Sequence, residues 1–484
     1  MKTKTLFAIF ALGVLATTAH AVPSTNSWIG GSGKWELGTN WSLGGPPASF
    51  VAAVLITNAT PKVVTIDATT SGSFPGTLAM SNLDVASFGA SVSALVLISA
   101  GVATPLHVFN ACSIAGGGFL FITNSAVLVD GLAGGGLTID GDGTLASGVI
   151  VATNTASYVG FAGAGTLTVN GGTNLTSTTT LGFSLGSTGT VLVTGGLMMA
   201  SNASISVGDD GVGSMTVSNG EVQALSIQVG SGINVGTLTS AGGTISVSTL
   251  LVGGSGASGT GIVWLTGGTL LLTNGTVSVI GSNGVGQLTV SNGTWLAQGV
   301  AVGAGGGSQG TLAVAGGTGS VFSNMTLGNS ACTSTGMVIV VGGSLFVTNT
   351  AHNAVLDLES GTLTLSAGTL VVDILVKTNP CASFSQTGGT LVVGGVTNLS
   401  SSLFVITAIS REGNNMRIGW QTPGGVTNIV QATNGGPGGS YNTNFVDLPP
   451  QSIITGVGLI TTNYLDVGGA TNRPARYYRV RLVP

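Results

Sequence analysis

The stretch Gly165-Thr166-Leu167-Thr168-Val169-Asn170-Gly171-Gly172 decides the fold, because the chain writes close variants of this phrase nine times. The copies open at Gly165, Gly189, Gly213, Gly236, Gly261, Gly286, Gly310, Gly336 and Gly361. Successive spacings are 24, 24, 23, 25, 25, 24, 26 and 25 residues, a mean of 24.5 over the 196 residues spanned. A fixed period of that size is the mark of a solenoid.

Within each phrase apolar and polar residues alternate, as a half-buried strand requires when successive side chains point to opposite faces. Leu167 and Val169 have as register mates Val191 and Val193, Met215 and Val217, Val263 and Leu265, Leu288 and Val290, Leu312 and Val314, Val338 and Val340, and Leu363 and Leu365. That aliphatic column is the expected core. The other face carries mainly threonine, among them Thr166, Thr168, Thr190, Thr216, Thr239, Thr289 and Thr364, whose β-branched hydroxyls suit a wetted pleat. Each phrase closes on Gly-Gly or Asn-Gly (Gly171-Gly172, Gly195-Gly196, Asn219-Gly220, Asn292-Gly293), which supplies the positive backbone angles of a tight corner. A second short strand follows in most copies, ending at Val207-Gly208, Val229-Gly230, Val252-Gly253 and Val302-Gly303.

A propeller blade needs about 40 to 50 residues, so a unit this short fits one turn of a parallel β-helix instead. Roughly fourteen coils fit between residues 50 and 400. With about 4.8 Å between stacked strands they make a rod of about 65 to 70 Å, unpaired at both ends unless capped. The expected fold is therefore all-β: a parallel β-helix (β-solenoid) over residues 61–402, preceded by a Trp-rich cap and first strand over 22–60.

Charged residues make up only 5% of the chain, against about 25% for an ordinary soluble domain, while 83 of 484 residues are Gly. Residues 1–21 combine Lys2 and Lys4, an apolar run from Leu6 to Ala16, and Ala19-His20-Ala21, the pattern of a cleaved secretory signal. Export is expected, to the medium or the outer cell surface. No later stretch approaches the roughly 18 uninterrupted apolar residues of a membrane span, so an integral membrane protein is not expected. No Lys or Arg lies between Lys62 and Lys377. Residues 22–402 carry three Lys against twelve acids, a balance of −9. Nucleic acid and anionic lipid are poor partners for such a body. Cys332 and Cys381 lie 49 residues apart, two coils, a separation of about 9 to 10 Å that exceeds the usual bridging limit of about 7 Å. Buried free thiols are expected there and at Cys112.

The last 80 residues differ. They hold all six Arg and four of the five Tyr, and residues 403–484 balance six Arg against three acids, or +3. Short strands are expected at 403–410, 416–421, 427–432, 461–467 and 476–482, with Trp420 and Tyr478 as anchors of a small β-sandwich.

The run Trp28-Ile29-Gly30-Gly31-Ser32-Gly33-Lys34-Trp35, continuing to Asn40-Trp41-Ser42 and Pro46-Pro47, resembles the opening of bacterial secreted proteins with autotransporter-associated β-strand repeats. The Gly-Thr-Leu-Thr-Val phrases resemble the repeat itself. The tail, with Trp420, Val430-Gln431 and Ala475-Arg476-Tyr477-Tyr478-Arg479-Val480-Arg481, is similar to a fibronectin-type-III-like module. The resemblance implies a secreted or surface-associated β-helix and brings no catalytic residues. One departure is the ending: 80 residues closing on Leu482-Val483-Pro484 are too short for a single-chain membrane barrel, so self-translocation is not expected.

Sites are few. Asp209-Asp210 superficially resembles the aspartate pair of polygalacturonases, but the third Asp, the Gly-His-Gly and the Arg-Ile-Lys are missing, and turn residues are expected. His107 and His352, about ten coils apart, cannot share a site, although Asp357 and Glu359 follow His352. Asp140 and Asp142 place two carboxylates in a Gly-rich turn, chemistry for weak Ca²⁺ binding without the further ligands of a Ca²⁺ loop; no other cofactor is expected. Trp295 aligns with core positions, whereas Trp264 aligns with Thr168, Thr216, Thr289 and Thr364 on the outward face and is the best contact candidate for a glycan. Trp28, Trp35 and Trp41 are further ring candidates that fit a seal on the first coil better. Arg476, Arg479 and Arg481 read as edge-strand cations or as a docking or sorting patch. Outward threonine rows of the kind found in ice-binding solenoids are broken by Ile262, Trp264, Gln287, Met337 and Ile339. The expected function is a non-catalytic extracellular rod, structural or adhesive, facing glycan or other cell-surface components, with a glycan-binding or polysaccharide-processing β-helix as the alternative.

Overall fold

A computed structural model describes residues 24–47, 53–89, 91–254, 259–377, 379–397, 405–423, 427–436, 444–454, 459–471 and 475–483. The signal-like residues 1–21 lie outside that set. The chain is all-β, a parallel β-solenoid of about 15 turns followed by small antiparallel sheets. Three strand columns make each coil. The repeated phrase forms the first, as in Ala164–Val169, Thr188–Val193 and Val212–Val217. The second runs through Thr173–Thr176 and the start of Leu197–Val207, and the third through Ser157–Val159, Thr179–Leu181 and the end of Leu197–Val207.

The expected register holds at every copy. Gly165 pairs with Gly189, Gly189 with Gly213, and the ladder continues through Gly236, Gly261, Gly286, Gly310 and Gly336 to Gly361. Leu167, Val191, Met215, Leu238, Val263, Leu288, Leu312, Val338 and Leu363 form one buried column. Full burial of each such side chain is worth about 1.5–3 kcal/mol before entropy is charged against it, so the stack, not any one coil, is the stable unit.

The opening glycine of the phrase has a steric reason. A Cβ on Gly236 would overlap the carbonyl oxygen of Val207, which already accepts the Gly230 N–H at 2.8 Å as the chain turns out of the third column. The same backbone approach recurs at Gly189 with Val159 and at Gly310 with Ile280. The closing glycines divide: Gly220 and Gly293 take φ of 87° and 88°, as expected of Asn-Gly, whereas Gly172 has no positive φ and is held to glycine by the nearby Gly148 backbone.

At the N-terminal end Thr25–Ser27 already pairs in parallel with Ala53–Ile56. Trp28, Trp35 and Trp41 form an edge-to-face stack with centroids 4.9 to 5.0 Å apart, each at most 1% exposed. Their indole N–H groups donate to Gly31 O, Thr77 O and Trp35 O. The helix Ala68–Ser73 covers a corner of this end, started by Asp67.

The cysteine expectation is overturned. Cys332 and Cys381 form a disulfide with a Cα separation of 6.1 Å, while Cys112 is a buried free thiol as expected. The two-coil estimate assumed corners of equal reach. Leu327 is followed by a long corner loop before Gly336, but Leu358 reaches Gly361 through Glu359 and Ser360 alone. The loops on either side close over this short corner, and Asn379 Nδ2 donates to Ser330 O at 2.9 Å.

The described residues of the tail form two three-stranded antiparallel sheets. One holds Val405–Glu412, Asn415–Pro423 and Leu459–Asp466; the other holds Val446–Ile453, Thr427–Gly435 and Ala475–Val483. They share a core of Ile418, Trp420 and Val430, against which Tyr464, Tyr478 and Val480 pack. Val446–Ile453 was not expected from sequence, since Pro449-Pro450 reads as a breaker. It is an edge strand, where a missing N–H is tolerated.

Candidate functional site

Outward side chains of the solenoid are mostly hydroxyls, so a site must be sought where that pattern breaks. Trp264 lies between Thr239 and Thr289 of the adjoining coils and is 38% exposed, as its register requires. Thr289 beside it is only 8% exposed and accepts from Gln287 Nε2 at 3.1 Å. Trp264 thus presents an indole on an otherwise neutral strand face. Trp295, its inward counterpart, is fully buried. The three N-terminal tryptophans, considered as glycan contacts, are sealed from solvent and cannot serve that role.

A second break was not seen in the sequence. Phe161 and Phe183 follow the third-column strands at a corner where other coils carry Asp209, Ser231, Ser282 or Ala304. The two rings stack at 5.1 Å with planes 6° apart, and Tyr158 meets both edge-on at 5.0 Å. The signal was available as two phenylalanines 22 residues apart, close to one coil length.

A third feature is a groove of about 410 Å³ lined by Met199, Asn202, Gln223, Leu225, Ser246 and Ser248, among others. It forms where the chain bulges between Ala200 and Ser204. Gln223 Nε2 donates to Glu221 Oε1 at 2.6 Å, so the amides and hydroxyls here offer neutral hydrogen-bonding groups beside one carboxylate.

Of the acidic candidates, Asp140 serves the backbone. Asp140 Oδ1 accepts from the N–H groups of Phe161 and Ala162 in the next coil. Asp142 is exposed and pairs by register with Phe119 and Thr166. Among the described residues no three His, Cys, Asp or Glu side chains gather as a metal site. Asp209 and Asp210 sit in a corner turn as expected; burial raises the Asp209 carboxyl above its ordinary range, partly opposed by the hydroxyl of Ser231.

Both histidines among the described residues have a carboxylate partner one coil away. His107 Nε2 lies 2.7 Å from Asp130 Oδ2, and His352 Nδ1 lies 3.3 Å from Asp373 Oδ1. The carboxylate beside His352 is thus Asp373, from the next coil, where the sequence pointed to Asp357 and Glu359. Asp373 also accepts the N–H groups of Asn349 and Ala354, which makes it the organiser of a turn.

These three arginines are engaged within the tail, Arg479 and Arg481 beside their own sheet and Arg476 reaching across to the other. Arg481 grips Asp447 with Nε at 3.2 Å and Nη2 at 2.6 Å. Arg479 Nε donates to Gln431 Oε1 at 2.6 Å, and its guanidinium lies 4.3 Å from the Phe445 ring centre. Arg476 Nε is 2.6 Å from Asp466 Oδ2, a close ion contact whose N–H is not aligned for a hydrogen bond, and Nη1 donates to Asn434. The three guanidiniums therefore do not form an uncommitted cationic patch.

No helix among the described residues is long and apolar enough to cross a membrane. No protein-family model, curated protein or solved structure matches this chain.

Proposed function

We propose that this protein is an exported structural or adhesive rod, with a solenoid of about 70 Å as its working element. The observation that carries this reading is the unbroken parallel register from Gly165 to Gly361, which gives a stiff stack with a largely uncharged exterior. The disulfide between exposed Cys332 and Cys381 supports an oxidising destination, in keeping with the signal-like residues 1–21. Surface glycan is the partner class favoured by half-exposed Trp264, since a flat ring stacks on a sugar face while the acidic body repels anionic chains.

Fractionation of the native cells, with a glycan array of wild type and Trp264→Ala, tests the reading. Retention at the surface without hydrolysis of any glycan supports the rod. Glycan binding that is lost in Trp264→Ala identifies the rod as adhesive through that face. Recovery of the protein from the cytoplasm, or turnover of a polysaccharide, would sink it.

A further inference from the structure

We propose that the Cys332–Cys381 bridge is an oxidation-dependent clasp that holds the last coils of the solenoid shut. Its placement is the argument. The strands Gly361–Lys377 and Thr390–Thr397 are the last described strands to pair with one another in this ladder. A coil at the end of a stack has one neighbour where inner coils have two, so it opens first. The bridge bypasses the coil between and ties the corner at Cys381 to a loop two coils further in.

That loop is built to receive it. Thr333 N donates to Asn329 Oδ1 at 3.0 Å, and Asn329 Nδ2 donates to Thr333 Oγ1 at 2.9 Å, which closes the loop on itself. Ser360, in the short corner beneath, donates to Ser334 O and accepts from Asn329 N. On the other side Asn379 accepts the Cys381 N–H at 3.1 Å while its amide reaches Ser330 O. The bridge therefore joins two loops already in contact.

Both bridged cysteines are exposed, open to exchange with a small disulfide or a thiol–disulfide oxidoreductase. Closing the clasp takes two thiols to one S–S bond; the two electrons and two protons pass to the donor disulfide, which leaves as two thiols. Cys112 does not compete, because full burial pushes its thiol up to about 12 and keeps it from attacking.

Trypsin reads the clasp directly in the full-length protein, because Lys377 is the only Lys or Arg between Lys62 and Arg411 and lies inside the bridged loop. Cleavage there requires the strand Gly361–Lys377 to open. In oxidised protein we expect slow cleavage, with the two pieces held together until thiol is added. Since native-state cleavage follows the population of the opened form, prior reduction should speed it by about tenfold or more. Cys332→Ser and Cys381→Ser should each behave like reduced wild type, with circular dichroism to check that the remaining coils stay folded. Equal cleavage rates in oxidised and reduced wild type would overturn the proposal. So would three alkylatable cysteines in oxidised protein denatured without reductant, where only Cys112 should react.

Discussion

Trp295 and Gly319 are stacked partners in adjoining coils, and the indole fills the space a side chain at 319 would take. A Cβ on Gly319 would lie 2.9 Å from the indole Cε3. The neighbouring coils place Leu270 and Leu345 at these positions, so one oversized residue is balanced by one absent side chain. The indole N–H has no hydrogen-bond partner among the described residues, an added cost of the arrangement. Trp295→Leu alone should lose about 2–4 kcal/mol to the cavity, and Gly319→Leu alone should also destabilise by overpacking. The double variant restores an aliphatic column and should be more stable than either single variant added together predicts. Denaturant midpoints over the four-member cycle give the coupling; additivity within about 0.5 kcal/mol would mean the pair is not complementary.

The glycine that opens each phrase should be intolerant of even one methyl group. Gly236→Ala drives a Cβ against the Val207 carbonyl, which is fixed by its own hydrogen bond, so a loss of about 2–4 kcal/mol is expected. Gly306→Ala is the control: its Cβ meets only Thr333 Oγ1 at 3.5 Å, and thermal unfolding should move little. Equal shifts for the two would show that backbone entropy, not close approach, sets the sequence.

One coil carries a polar interior. Thr176 and Thr179 face inward with hydroxyls 2.8 Å apart, beside buried Ser157 and Asn174. Neither polar atom of the Asn174 side chain has a partner among the described residues, although its register mates are Ile150 and Met198. Burying an unsatisfied amide costs about 1–3 kcal/mol, so Asn174→Leu should raise the unfolding midpoint by a comparable amount. A fall in stability would mean that the amide is bound to buried water and is worth keeping.

The ladder was legible because two independent periods agree: alternation names the inward face, and the coil length names the neighbours. Thus Leu167 found Val191 and Trp264 found Thr289 before any coordinates. The same coil length would have found His107 with Asp130, 23 residues on, and His352 with Asp373, 21 on; attention to sequence neighbours such as Asp357 hid the second pair. The disulfide was missed for a different reason. Corner loops vary in length independently of the strands, so the short corner at Glu359-Ser360 lets its flanking loops meet. The polar coil at Asn174 was overlooked because the repeated phrase marks only one of the three strand columns.

Two carboxylates should give opposite pH signatures. Lys34 holds the Asp67 carboxyl below its ordinary range, with Nζ 2.6 Å from Oδ2, helped by the N–H groups of Thr70 and Thr69 at the start of the helix Ala68–Ser73. A depressed carboxyl stabilises the fold above its unfolded value of about 4, and that gain disappears as pH falls through the lower folded value. Asp67→Asn keeps an acceptor for the helix start but loses the ion pair, so its deficit against wild type should shrink as acid is added. Asp209 is raised by burial, which reverses the sign: its penalty accrues as pH climbs from the unfolded value through the folded one. Asp209→Asn should therefore be more stable than wild type at neutral pH and equal to it near pH 3. Unfolding midpoints for both variants across pH 3 to 7 check this, and parallel curves for either would show that its carboxylate titrates alike in the folded and unfolded chain.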